Sequence, residues 1–205
     1  STTYGTASSE TSFNVSGADM AAGILVTPPS GYEVSLASGS GYATTVTVGS
    51  SGTIASTPVY VRLTSTATVA GSPYSGNIVL SSSGATAVNV ATVSSTVSAK
   101  ALTITGIAAN NKLFDGNTDA TLSGTASLVG IVNSDVVTLG GTPVATFASS
   151  AVGTGIAVSV TGYTIGGAGA GNYTLTQPSL TADITSSPAP SITSLLTASA
   201  VYGEA

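Results

Sequence analysis

Three oxygen-bearing side chains at alternate positions in one short segment are the residues best suited to chemistry. They are Asp115, Asn117 and Asp119. Carboxylate and amide oxygens that alternate in one loop can face a hard cation such as Ca²⁺. The segment is not an EF-hand, because its sixth position is Ala120 and its twelfth is Ala126. Aspartate and asparagine also favour turns, so a calcium site and a plain turn both remain open as interpretations.

Neighbouring charged residues bear on both interpretations of this segment. Asp135 or Asp183 could complete a calcium cage. Lys112 could instead form an exposed ion pair with Asp115, worth less than about 1 kcal/mol, that holds the loop's geometry. Lys112 and Lys100 are also the candidates for an internal crosslink to an asparagine, although an ordinary solvated lysine is the simpler interpretation. The asparagines considered for that crosslink are Asn110, Asn111 and Asn172.

Most enzyme chemistry is excluded by the residue types present. The chain has no histidine, no cysteine and no tryptophan, and only 3 basic and 8 acidic residues. The chain therefore lacks the side chains needed for a Ser-His-Asp triad, for a zinc site with nitrogen or sulfur ligands, or for thiol redox chemistry. The acids are scattered along the chain, which disfavours the paired carboxylates of a glycosidase. We expect a protein that is not an enzyme and that needs no cofactor, calcium excepted.

The charge balance limits the partners. The formal net charge is −5, and Arg62, Lys100 and Lys112 are the only cations. Nothing in such a chain neutralises a row of phosphates, so we expect no binding to nucleic acid. The most apolar stretch, 20–26, is far shorter than the roughly 20 residues that span a bilayer, so we expect no direct membrane insertion.

The composition and the local patterning predict an all-β chain. Serine and threonine supply 66 residues, and the β-forming valine, isoleucine and threonine together supply 65. Apolar and polar residues alternate with the period of a strand in several segments, such as Val59, Val61 and Leu63 against Tyr60 and Arg62. The Gly-rich segment 166–171 does not fit a phosphate-binding motif, and we interpret it as a hairpin loop.

The spacing of turn residues predicts two tandem Ig-like β-sandwich domains. Clusters of Gly, Pro and Ser punctuate the chain at intervals close to the 8 to 12 residues expected for sandwich strands. We expect one sandwich at 1–99 and a second at 100–185. Residues 186–205 are then a Pro/Ser-rich linker followed by an extended C-terminal strand, which begins a next repeat or serves as a donor strand.

Four segments in the second half of the chain carry a resemblance to a known family, namely 100–104, 111–118, 171–175 and 180–184. On these segments, residues 100–185 resemble the YDG domain, a repeat common in large hemagglutinin-like and other secreted adhesive proteins of bacteria. Phe114 stands where tyrosine is usual, and Asn133-Ser134-Asp135 replaces a glycine followed by acidic residues. The resemblance implies a surface module without catalytic activity.

The first half of the chain carries a second resemblance in the segments 29–34, 59–63 and 74–80. On these segments, residues 1–99 resemble a different Ig-like repeat, found in secreted proteins of Bacteroidetes and similar bacteria. Both resemblances imply modules strung between a cell-surface anchor and a functional tip. We therefore expect an extracellular location at the bacterial cell surface.

The tail repeats a pattern from the start of the chain. Tyr202-Gly203-Glu204-Ala205 is similar to Tyr4-Gly5-Thr6-Ala7, and the apolar segment 192–201 precedes it. One explanation is a piece of a longer array whose repeats are offset. The other is donor-strand exchange, in which the tail of one chain completes the first sandwich of the next.

The sequence thus leaves three functions open. The first is a structural or adhesive module, a stalk or spacer repeat of an adhesin, whose partners are neighbouring repeats and also surface glycans or other cells. The second is a filament subunit that assembles head to tail with identical subunits. The third is a calcium- or carbohydrate-binding module, in which tyrosines group on one face. The tyrosines considered are Tyr32, Tyr42, Tyr60 and Tyr74.

Overall fold

The computed structural model describes residues 1–187 of the chain. Its regular elements are strands and two short 3₁₀ turns, and this described part contains no α-helix. The prediction of an all-β chain is confirmed. No helix within 1–187 is long and apolar enough to cross a membrane. The predicted C-terminal strand lies outside the described residues, as does most of the predicted linker.

Residues 1–99 form two multi-stranded sheets and one additional strand pair. The sheets have the strand orders β2-β6-β4 and β5-β3-β7-β8, and β1 pairs with β9 in parallel. The elements are β1 Thr2–Thr3, β2 Thr11–Met20, β3 Ile24–Thr27, β4 Tyr32–Ser35, β5 Val46–Val48, β6 Gly52–Leu63, a 3₁₀ turn Val69–Gly71, β7 Asn77–Ser81, β8 Val88–Ala91 and β9 Val97–Ser98.

The two sheets share one buried core, which the alternation of apolar residues creates. Val59, Val61 and Leu63 of β6 are buried, whereas the intervening Tyr60 and Arg62 lie toward the other side of the strand, as predicted. Strands of both sheets contribute to the same cluster. Its members include Val15, Val34, Val26, Val48 and Ile78.

Residues 100–187 form a three-stranded sheet, β13-β10-β16, and a five-stranded sheet, β11-β17-β15-β14-β12. Because β16 pairs in parallel with β10 and not with β15, the interpretation of 166–171 as a hairpin loop is wrong. The elements are β10 Lys100–Ala109, β11 Lys112–Leu113, β12 Asp119–Ala120, β13 Leu122–Val129, β14 Thr138–Phe147, β15 Gly153–Gly166, a 3₁₀ turn Ala170–Asn172, β16 Tyr173–Leu175 and β17 Ser179–Thr185.

Contacts between residues divide the chain into two compact units, and each unit is built from stretches that are separated in the sequence. Unit 1 contains 1–107, 124–143 and 161–178, and unit 2 contains 108–123, 144–160 and the chain from 179 onward. The long strands β10, β14 and β15 therefore each contribute to both units. The sequence-based domains 1–99 and 100–185 stay a prediction, because each compact unit is built from several separate stretches of the chain.

Each unit has its own buried side chains. In unit 1, Leu102 of β10 and Tyr173 of β16 belong to the same core cluster as Tyr4 and Val97. In unit 2, Phe147 and Ile184 are almost completely buried. The core of unit 1 thus joins residues from both of the sequence segments that were predicted to fold separately.

A pair of glycines lets β14 and β15 approach closely within unit 1. Gly141 has a φ of +90° and Gly162 a φ of +89°, values that side-chain-bearing residues rarely adopt. A Cβ atom on Gly141 would collide with the backbone oxygen of Gly162. The backbone of the facing strand therefore occupies the space that a side chain would need.

We expect Gly141→Ala to reduce the free energy of unfolding by more than the matched control Gly84→Ala. Gly84 also has a positive φ, +76°, but open space surrounds it. In the control, the free energy of unfolding should fall only by the strain of an alanine in the left-handed conformation, about 1–2 kcal/mol. Gly141→Ala must in addition displace the backbone of the facing strand. Urea denaturation of both variants measures the difference, and equal losses would contradict the close approach.

Candidate functional site

The segment 112–119 is fixed by backbone hydrogen bonds at both ends. Lys112 in β11 pairs with Ile184 of β17, and the Phe114 amide donates to the Thr185 carbonyl at 2.8 Å. At the other end, Asp119 in β12 pairs with β14, and the Thr118 carbonyl accepts from the Phe147 amide at 2.8 Å. The loop between these anchors therefore has little freedom to change its shape.

The Lys112 ammonium lies at the centre of this loop. Its Nζ donates to Asp115 Oδ1 at 2.8 Å, to Asn117 Oδ1 at 2.8 Å and to the Asn117 carbonyl at 2.9 Å. It also lies 5.5 Å from the ring centroid of Phe147, within cation–π range. The side chain of Lys112 is only 17% exposed. The predicted ion pair with Asp115 is confirmed, and the loop closes around a cation that belongs to the chain itself.

The side chains of the predicted calcium ligands Asp115 and Asn117 accept hydrogen bonds from backbone amides of the same loop. Asp115 Oδ1 accepts from the Asn117 amide at 3.1 Å, and Asn117 Oδ1 accepts from the Asp119 amide at 3.0 Å. These are the side-chain-to-backbone bonds of Asx turns. Asp115 and Asn117 thus already have partners for the oxygens that would face Ca²⁺. The calcium site stays a prediction, and an ion would have to displace Lys112.

The other acids and asparagines considered for this region have different partners. Asp183 Oδ1 accepts from the Gly155 amide at 2.7 Å, and Asn111 Oδ1 accepts from the Asp183 amide at 2.8 Å. The Asn110 side chain bonds to Thr121. Among residues 1–187, no group of three or more Asp, Glu, His or Cys side chains is arranged to hold a metal ion.

A second polar cluster surrounds two buried tyrosines of unit 1, and we call it the junction cluster: Tyr4, Asn133, Asp135, Asn172 and Tyr173. The rings of Tyr4 and Tyr173 pack edge to face, with centroids 5.4 Å apart. The Tyr173 hydroxyl donates to Asp135 Oδ2 at 2.8 Å and accepts from the Val132 amide at 3.1 Å. Burial, reinforced by the Asp135 carboxylate, raises the pKa of the Tyr173 hydroxyl.

The asparagines of the junction cluster bind backbone groups of the 1–99 segment. Asn172 Oδ1 accepts from the Val69 amide at 3.0 Å, and Asn133 Nδ2 donates to the Ser65 carbonyl at 3.2 Å. Gly5 lies so close to Val132 that an added Cβ would come within 2.5 Å of its side chain. The cluster therefore joins 1–99 to the YDG-like segment by packing and by hydrogen bonds.

Sequence reasoning did not find the junction cluster, although two signals pointed to it. Tyr4-Gly5 recurs at Tyr202-Gly203, and Asn172-Tyr173 belongs to a segment that carries the YDG resemblance. Each signal was interpreted within its own segment. Their pairing depends on how the strands of the two segments share a core, which no local pattern contains.

The four tyrosines considered for a carbohydrate-binding face do not share one face. Tyr32 is buried, packs edge to face with Tyr74, and hydrogen-bonds through its hydroxyl to backbone carbonyls. Tyr60 lies on the opposite side of the same sheet, because β4 and β6 pair Tyr32 with Leu63. The arrangement that a sugar-binding face requires is therefore not formed by this set.

Tyr42 instead belongs to a charged surface network. Arg62 stacks on its ring at 3.6 Å and pairs with Glu33 at 2.7 Å. The Tyr42 hydroxyl donates to Glu10, which also accepts from the Gly39 amide. Burial, together with the Glu10 carboxylate, raises the pKa of Tyr42 to about 12. This network ties the segment before β2 to the loop after β4.

Among the described residues of this all-β chain, these polar side chains close loops and join segments. Residues 98–182 match the family model described as the YDG domain. The predicted resemblance of 100–185 to that family is thereby confirmed, at nearly the same boundaries. No curated protein and no solved structure matches the chain.

Removing the Asp115 carboxylate should change how stability depends on pH. The Lys112 hydrogen bond lowers the pKa of Asp115. A lowered folded-state pKa stabilises the fold above the unfolded value, about 4, and this contribution disappears as the pH falls through the folded value. The difference in melting midpoint between the native chain and Asp115→Asn should therefore shrink below about pH 4. A difference that stays constant with pH would contradict the ion pair.

Calcium should leave the melting midpoint unchanged. A ligand that binds only the folded chain must raise its apparent stability, but Lys112 already occupies the loop centre. Thermal melts with calcium and with a chelator measure this. A midpoint that rises with calcium concentration in the native chain, and not in Asp115→Asn, would establish the metal site.

Tyr173→Phe should lower the free energy of unfolding by about 1–2 kcal/mol, because the Val132 amide and Asp135 lose their shared partner. Tyr163→Phe is the matched control, since the hydrogen bonds between Tyr163 and the Gln177 side chain involve the backbone of Tyr163 and not its hydroxyl. Urea denaturation measures both variants. Equal effects would show that the Tyr173 hydroxyl contributes nothing specific to the junction.

Proposed function

We propose that this chain is a structural module, a stalk or spacer repeat, of a large secreted or cell-surface bacterial adhesin. The proposal starts from the YDG match at 98–182. It also uses the resemblance given by the sequence, which implies a repeat of secreted adhesive proteins. It assigns the chain no catalytic role and an extracellular location. Its direct partners are the neighbouring repeats of the same protein.

The observation that carries the proposal is the junction cluster. A spacer holds the parts that it connects at a defined distance and orientation. This requires that successive segments do not rotate about their connection. Here the two segments of unit 1 share buried tyrosines and are joined by hydrogen bonds from Asn133 and Asn172. A linker of exposed Gly and Ser would instead behave as a flexible coil.

The strand order of 1–99 supports an Ig-like assignment for this segment. A three-stranded and a four-stranded sheet share a core, and β1 runs parallel to β9. Ig-like sandwiches likewise build a core between two such antiparallel sheets. An Ig-like repeat followed by a YDG domain is the tandem that the sequence predicted.

The surface suits a passive spacer better than a charged ligand site. With 3 basic and 8 acidic residues in the chain, little electrostatic self-repulsion acts between repeats. Arg62 and Lys112 are engaged by Glu33 and Asp115. Lateral contacts between such surfaces therefore depend on shape and on strand edges more than on charge.

A filament subunit is the second candidate, and one observation favours it. Within the described residues, β2 and β8 each lie at an edge of their sheet. Edge strands invite pairing with another strand unless lysine or proline blocks them. The YDG match favours the stalk, whereas the free strand edges favour assembly.

Distance measurements between two spin labels test the stalk proposal. The chain has no cysteine, so Ser51→Cys and Ser127→Cys together give one clean label pair on exposed positions of unit 1. A rigid junction predicts a single narrow distance distribution. Tyr4→Ala should broaden it, whereas Tyr60→Ala, the matched removal of an outward-facing tyrosine, should not.

A broad distribution in the otherwise native chain would overturn the stalk proposal. It would show that the two segments adopt a range of relative orientations despite the buried tyrosines of the junction. Circular dichroism of each variant ensures that broadening reports on the junction and not on unfolding.

A further inference from the structure

Two short strands of unit 1 lie end to end along one backbone stretch, residues 96–102, which we call the splice segment. β1 pairs with its first part, where Thr2 is opposite Val97, and β16 pairs with its second part, where Tyr173 is opposite Lys100. Both pairs are parallel. The splice segment contains β9 and the start of β10, so it passes from 1–99 into the stretch that matches the YDG family.

β1 and β16 bind the same edge of the splice segment. Amides of β1 and of the residue after it donate to the carbonyls of Thr96 and Ser98, and the Thr176 amide donates to the Leu102 carbonyl, all at 2.9 Å. The three accepting carbonyls belong to even-numbered residues, and carbonyls at alternate positions of an extended strand point to the same edge. The edge-to-face contact of the two junction tyrosines also places the ends of β1 and β16 side by side.

The side chains on one side of this pairing are buried. Tyr4 and Val97 are each 4% exposed, and Leu102 is fully buried. Backbone hydrogen bonds beside buried side chains are shielded from water, and a hydrogen bond in such surroundings is electrostatically stronger than one in water. The bonds that hold β1 to the splice segment are therefore protected on their inner side.

Hydroxyl groups add further bonds across the same pair. The Thr96 amide and the Thr96 hydroxyl both donate to the Ser1 hydroxyl oxygen, at 3.2 Å and 2.9 Å. The hydroxyls of Thr3 and Ser98 lie 3.3 Å apart, and the Ser98 hydroxyl also lies 3.3 Å from the Thr2 carbonyl. β1 is thus tied to its partner by side chains as well as by backbone, although it is only two residues long.

The parallel direction decides how these bonds respond to tension. In a parallel pair, the start of one strand and the end of the other lie at opposite ends of the pairing. A force applied between Ser1 and a residue beyond Leu102 is then directed along the strands. All the bonds carry this force together and must fail together. A force that separates the strands from one end would instead break the bonds one after another.

We propose that β1 and the splice segment form the force-bearing joint of this chain. Tension that arrives through Ser1 passes in shear from β1 into 96–98 and continues along the same backbone into β10. Residues 5–95 lie outside this path, so the two sheets of 1–99 stay folded as long as β1 stays paired. The inference rests on the stalk form of the proposed function, because a spacer between an anchor and an attached cell is stretched, and it names the bonds that resist the stretching.

Two full-length double-cysteine variants compare two directions of force on the same pair of strands. The chain has no cysteine, so handles attach only at the introduced positions. Ser1→Cys with Thr103→Cys pulls along the splice segment, whereas Ser1→Cys with Ser94→Cys separates the pair from one end. Thr103 and Ser94 are both exposed. Optical tweezers at one loading rate should give a higher first unfolding force for the Thr103 handle than for the Ser94 handle.

The two variants share the handle at Ser1, so a difference in force reports on the direction of pulling. Forced unfolding follows the height of the unfolding barrier, and this barrier depends on which bonds the force loads. Thermal melting without force should give the same midpoint for both variants. Equal unfolding forces, or a higher force for the Ser94 handle, would overturn the proposal.

Two proline variants of the chain with the Thr103 handle identify the bonds. Thr2→Pro removes an amide that donates to the Thr96 carbonyl, whereas Thr3→Pro removes an amide that points to the opposite edge of β1. The unfolding force should fall in Thr2→Pro and change little in Thr3→Pro. Equal forces in the two would contradict the role of these bonds. If a proline prevents folding, which circular dichroism detects, the comparison of pulling directions alone decides.

The pulling experiment and the spin-label experiment fail separately. A narrow label distribution together with equal pulling forces would leave the stalk proposal in place and remove the force-bearing joint. A broad label distribution together with a higher force for the Thr103 handle would remove the stalk proposal, while the resistance to force would still be assigned to β1 and the splice segment.

Discussion

The burial of Tyr4 against Tyr173 is the interaction on which the organisation of unit 1 depends. Tyr4 follows β1, whose pairing with β9 fixes the end of the first segment, and Tyr173 opens β16, whose pairing with β10 fixes the start of the second. Two strand pairs that are far apart in sequence thus meet at one pair of rings. The polar atoms around the rings are satisfied by Asp135 and by backbone groups, so the aromatic contact carries no unpaired buried group.

The Lys112 loop shows how a chain with few charges uses one of them internally. The Lys112 ammonium donates to three oxygens of this loop and so holds carboxylate and amide oxygens together at one point. A bound metal cation holds the oxygens of other loops together in the same way. The Phe147 ring beneath it limits access of water on one side. In this structure the Lys112 ammonium therefore holds the position at the centre of the loop that a bound ion would need.

The sequence predicted what is periodic and missed what depends on long-range pairing. Alternation in β6 identified Val59, Val61 and Leu63 as buried, and the 112–119 motif identified Lys112 and Asp115 as neighbours. The parallel partner of β16 was missed, because a Gly-rich loop before a short strand is equally compatible with a hairpin. The junction cluster was missed for the same reason, since Tyr4 and Tyr173 are brought together by two sheets and by no spacing in the chain.

The placement of the basic residues has a consequence for proteolysis. Enzymes of the trypsin type cleave after lysine or arginine and need a flexible, accessible backbone there. All three basic residues lie in paired strands: Arg62 in β6 between β2 and β4, Lys100 in β10 beside β16, and Lys112 in β11 beside β17. The loops, which are the usual points of attack, contain no residue that such an enzyme recognises. Cleavage therefore requires opening of the sheets themselves, and the lifetime of the chain among trypsin-like proteases is set by the stability of its strands.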